Sequence, residues 1–111
     1  MPEHRNLGPA IVIVGGDGRG HDLRVAPASI RSFASPRYGG NGSLRRAVAA
    51  INGGTVDLVV LLVRWLGHSE FHSIVAACNA AEIPVLLVAG GFSAARRQVR
   101  EFLVSGGRHA A

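Results

Sequence analysis

Two short stretches of this 111-residue chain hold groups whose type and spacing could do chemistry. Residues 15–20 read Gly-Gly-Asp-Gly-Arg-Gly, a run that exposes backbone amides with little side-chain obstruction. Such a turn suits a phosphate or carboxylate, whose oxygens take backbone N–H groups. It is not the dinucleotide fingerprint, because His21 occupies the third glycine position after Gly16 and Gly18. It also lacks the lysine of a phosphate-binding P-loop. The second stretch places His68, Glu70 and His72 within five residues. Two histidines four apart share one helical face and could hold a metal. No metal site is assigned, however: His68 is expected to precede the helix, and Glu does not directly follow the first His as in zinc proteases. Glu70 is better suited to a first helical turn, where a carboxylate complements the helix dipole. His68, at the exit of a strand, is instead a candidate hydrogen-bond or proton donor to a ligand.

An anionic partner also fits the charge. The formal net charge is +5, and all twelve basic residues are arginine. A guanidinium fork matches phosphate and carboxylate oxygens bidentately. Ser93, the amides beside it and Arg96 would form a phosphate subsite at a helix start. Arg45, Arg46, Arg96, Arg97 and Arg100 are the candidates for a nucleic-acid contact. Aromatics at 5% leave little for stacking single-stranded bases. The lone cysteine, Cys78, rules out an internal disulfide and falls in an apolar helical stripe, so it is expected in the core. Trp65 and Leu66 follow a strand directly; they could line a crevice, form an oligomer contact or pack internally.

These residues need elements to position them. Residues 1–9 and 105–111 read as flexible tails, leaving one domain at 10–104. Apolar runs at 10–14, 57–63 and 85–89 predict buried strands, and alternation at 29–34 predicts another nearer an edge. A short helix is expected at 21–26, stopped by Pro27, and a loop at 36–42. Ser43, Ser69 and Ser93 are expected to cap three helices. Their inward stripes would be Leu44, Val48 and Ile51; then Phe71, Ile74, Val75 and Cys78; then Ala95, Val99, Phe102 and Leu103. Gly53 and Gly54 end the first of these. Strands alternating with helices imply parallel pairing. The expected fold is a small Rossmann-like three-layer α/β sandwich with a four-stranded parallel sheet ordered 2-1-3-4. Ligands then collect beyond the strand C-termini, where the order reverses, between the first and third strands.

Several of these residues carry a family resemblance. Val14-Gly15-Gly16 after a short strand, Asp57 opening a hydrophobic strand, Gly67-His68 leading into a helix, and Ile83-Pro84-Val85 opening the last strand resemble the bacterial family "domain of unknown function 2325". The similarity spans residues 10 to 104. It departs at Pro27, which interrupts the family's first helix, and at Gly67, where the family carries Ser. The resemblance implies a Rossmann-like fold and no defined activity.

The expected function is therefore a non-catalytic binding or regulatory domain for a small anionic ligand, a nucleotide or another phosphate-bearing metabolite. Its ligand residues would be Gly15, Gly16, Asp17, Arg19, His68 and Ser93. The alternatives are a basic nucleic-acid-binding protein and a self-associating structural or adaptor protein, most simply a homodimer. The acids and bases Asp17, His21, Asp22, His68, Glu70 and His72 show no triad or paired-carboxylate spacing, so an enzyme is the weaker reading. No cofactor is specified. No apolar run is long enough to span a bilayer, and a cytoplasmic location is expected.

Overall fold

The computed structural model describes residues 9–16, 28–35 and 41–105. The expected helix at 21–26, the loop at 36–40, Asp17 and Arg19, and most of both tails lie outside the described residues. Strands β1 (Ala10–Val14), β2 (Ser29–Phe33), β3 (Leu58–Leu62) and β4 (Val85–Val88) form one sheet, in the order β2-β1-β3-β4. Every pairing is parallel, with Ile11 beside Ile30 and Leu58, and Val59 beside Val85. Helices α1 (Asn41–Asn52), α2 (His68–Ala81) and α3 (Phe92–Val104) flank it. The fold is the small α/β Rossmann-like one that the strand–helix alternation predicts.

Strand side chains alternate between the two sheet faces. Ile11, Ile13, Leu58, Val60, Leu62, Leu86 and Val88 meet Ala95, Val99 and Phe102 of α3 in one core. Val12, Val14, Phe33, Val59 and Leu61 meet Ala47 and Ile51 of α1 and Ile74 and Cys78 of α2 in the other. Placing α1 and α2 on a common face follows from crossovers of one hand, because β2→β3 and β3→β4 step the same way across the sheet. All five residues of β3 are buried, whereas β2 alternates and lies at an edge. At the other edge, Leu87 of β4 remains 53% exposed.

Several boundaries differ from expectation. Helix α1 starts at Asn41, so Asn41 and Gly42 are helical rather than loop, and Ser43 is buried in the first turn instead of capping. Gly67 caps α2 and Gly91 caps α3, which puts Ser69 and Ser93 at the second helical position. Two demands accompany the shifts at α2 and α3, one local and one tertiary. Glu70 supplies the capping bond of α2 from inside the helix, with its carboxylate accepting the Gly67 N–H. Phe92, the first residue of α3, packs against the α3-side core and onto Gly16. The third strand also ends early, at Leu62, and Val63–Trp65 turns into a short 3₁₀ segment.

The end of α2 is a Schellman turn. The Ile83 N–H reaches the Cys78 carbonyl at 2.9 Å, and the Glu82 N–H reaches Asn79 at 3.2 Å. Glu82 takes φ 59°, ψ 42°, a left-handed conformation more usual for glycine.

Candidate functional site

The C-terminal edge of the sheet is built around Gly15 and Gly16. Beyond β1 the backbone turns at φ +124° and +70°, values that favour residues without a Cβ. Space makes the same demand. A Cβ on Gly15 would sit 2.9 Å from the Leu62 Cβ and 3.0 Å from the Leu62 carbonyl oxygen, because β1 and β3 draw together where they end. A Cβ on Gly16 would approach the Phe92 ring to 3.3 Å and the Leu62 side chain to 3.5 Å.

The turn is tied to β2 as well. The Gly15 N–H donates to the Phe33 carbonyl at 2.9 Å, and the Ser35 N–H donates to the Gly16 carbonyl at 3.1 Å. The buried Ser35 hydroxyl gives the same carbonyl a longer contact of 3.4 Å. These bonds carry the β1–β2 ladder two residues past the strands and hold the turn in place.

On the far side stands the N-terminus of α3. Gly91 caps it with no side-chain hydrogen bond, and Ser93 is exposed in its first turn. The half-buried Phe92 leans onto Gly16, and Trp65 reaches Gly91, where a Cβ would lie 3.9 Å from the indole. The exposed Arg64 guanidinium sits 5.6 Å from the Trp65 ring centre. Trp65 is itself half-buried against the α3-side core, and Leu66 packs on the opposite core. Both residues therefore have internal packing roles.

Thus the structure brings Gly15, Gly16 and the start of α3 to one edge, as expected. Sequence reasoning missed Phe92, which joins them. The available signal was an aromatic residue directly after Gly90 and Gly91, where a solvent-exposed helix start would carry a polar one.

His68 is placed differently. It is the first residue of α2, not a residue before it, and α2 packs on the face opposite α3. Its exposed ring meets that of His72 edge to face, with centroids 5.3 Å apart. Glu70 is committed to the Gly67 amide.

The arginines split into two groups. Arg45 and Arg46 lie exposed on α1, while Arg96, Arg97 and Arg100 lie exposed on α3, in the opposite outer layer. The sheet separates them, so they do not make one continuous basic patch. Arg97 and Arg100 instead border an open depression with Glu101, Val104 and Ser105.

In comparisons with known proteins, no family model matches the chain, and no curated protein or solved structure matches it. Among the described residues, no helix is long and apolar enough to cross a membrane, and no three metal-ligating side chains come together.

Proposed function

We propose that this chain is a non-catalytic binding domain for a small anionic ligand, a nucleotide or another phosphate-bearing metabolite, seated at the C-terminal edge of its sheet. One observation carries the reading: Phe92, the first residue of α3, rests on Gly16, so a helix start without a side-chain cap stands beside a glycine turn. The first amides of a helix have no intrahelical acceptor, and the dipole adds partial positive charge there. An anion between the two elements would meet amides from α3, the Ser93 hydroxyl and the Gly15-Gly16 turn. Asp17 and Arg19 come next in the chain, and the reading assigns Arg19 to the ligand charge. His68 flanks the exit of β3 on the other side of the sheet and has a lesser part. The family resemblance implies a Rossmann-like fold alone and leaves the ligand open.

The test is a set of thermal melts against a panel of nucleotides and sugar phosphates, since a ligand bound only by the folded state raises its stability. The decisive variant is Ser93→Asp. A carboxylate in the first turn favours the helix by about 0.3–1 kcal/mol but repels a bound anion. The expected result is an unchanged or higher melting temperature together with loss of the ligand-induced shift. If no phosphorylated compound shifts the wild-type melt, the reading fails.

A further inference from the structure

We propose that His68 and His72 form a two-point chelate on α2 for a first-row divalent cation that favours imidazole nitrogen, with Zn²⁺ as the type case. The inference does not rest on the anion reading: the two share only His68, which has a lesser part there, and the chelate needs neither an anion nor the Gly16–Phe92 contact.

The placement of His68 inside the helix is what makes the pair. Residues at i and i+4 stand one above the other, with Cβ atoms about 5–6 Å apart. Had His68 preceded the helix, its ring would have had no fixed relation to His72. In the folded chain the two centroids lie 5.3 Å apart, with the planes at 80°. A zinc-bound imidazole nitrogen sits at about 2.0–2.1 Å, which puts the ring centre about 3.2 Å from the metal. Two such rings at a tetrahedral angle are separated by about 5.2 Å, so the observed spacing admits a chelate once each exposed ring turns a nitrogen toward the shared metal.

The surroundings agree. Both histidines are exposed, so a cation need not be stripped of all its water and can keep solvent at its other positions. Phe71 packs edge to face against His72, with centroids 5.5 Å apart, which restricts that ring. Glu70 lies two residues from each histidine, toward the other side of the helix, and its carboxylate is taken by Gly67. It does not compete for the metal. It does offset the positive end of the helix dipole, which would otherwise oppose a cation at the first turn. Hard cations such as Mg²⁺ and Ca²⁺ prefer oxygen and should be refused.

The experiment uses the full chain in a phosphate-free buffer. Imidazole ¹⁵N resonances of His68 and His72 are followed during titration with ZnCl₂, and melts are recorded with ZnCl₂ and with MgCl₂. Both histidines should shift together at equimolar zinc, and zinc but not magnesium should raise the melting temperature. His68→Ala and His72→Ala each reduce the chelate to a single donor and should weaken zinc binding by about 10²-fold. His72→Gln gives a second variant of similar size should alanine disturb the helix. The chain has three other histidines, His4, His21 and His109. Zinc that shifts those and leaves His68 and His72 unmoved overturns the proposal, as does undiminished affinity in both His72 variants.

Discussion

The Asp57 carboxylate accepts the backbone N–H of Ala10 at 2.8 Å, while the Asp57 N–H donates to the Ala10 carbonyl at 2.8 Å. One residue before β3 thus closes a two-bond clasp on the first residue of β1, at the edge opposite the glycine turn. The carboxylate partner belongs to the neighbouring strand. Because the clasp is exposed, water can replace a lost partner. Asp57→Ala should therefore lower stability by about 0.5–1.5 kcal/mol, less than for a buried acceptor. Urea melts of the two proteins measure it, and a loss above this range would mean that the Ala10 amide is shielded from solvent.

Gly15 and Gly54 both have positive φ but differ in surroundings. Gly54 ends α1 at φ +79° with open space where a Cβ would go, whereas Gly15 faces Leu62 at 2.9 Å. Gly54→Ala should cost about 1 kcal/mol from backbone strain alone. Gly15→Ala adds a clash with the backbone of β3 and should cost about 2–4 kcal/mol. Denaturant midpoints of the two variants give the difference directly.

Glu82 pays the opposite kind of penalty, holding a left-handed conformation at an exposed position. Replacing it with glycine relieves the Cβ strain while keeping both hydrogen bonds of the Schellman turn. Glu82→Gly should raise stability by about 0.5–1 kcal/mol, whereas glycine inside a helix usually lowers it by a similar amount. Thermal melts distinguish the two signs.

Cys78 lies buried between α2 and the sheet, and burial pushes its thiol from 9.0 up to about 11. Folding thus favours the protonated thiol. Below pH 9 the group is protonated in both folded and unfolded chains and contributes no pH dependence. Between pH 9 and about 11 the unfolded chain loses its proton first, and stability falls by up to about 1.4 kcal/mol per unit. Cys78→Ser removes this slope, which alkaline melts of the two proteins would show. As the only cysteine, Cys78 should also react with a thiol reagent only as fast as the chain opens.

Much of this architecture was legible residue by residue. The short, Val-rich apolar run of β3 read as a strand buried on both faces, and the alternation of β2 announced an edge. Gly15 and Gly16 after β1 marked a turn at the C-terminal edge of the sheet, and the structure adds the reason: positive φ and the close approach of Leu62 at the end of β3. The stripes of α2 and α3 predicted which side chains face inward, since helical spacing is a local property.

Other features were decided by contacts between distant segments. At α3, Gly91 takes the cap position and Phe92 reaches Gly16 from a distant segment; at α2 the reason is local, Glu70 satisfying Gly67 three residues away, so Gly67 takes the cap position. That shift moved His68 into α2 and onto the same face as His72. The partner of Asp57 lies 47 residues away, and the separation of the arginines depends on which sheet face each helix covers. Periodicity and turn chemistry report how a segment folds on itself. Where its surfaces meet the rest of the chain depends on sheet order and crossover direction, and only the assembled structure fixes those together.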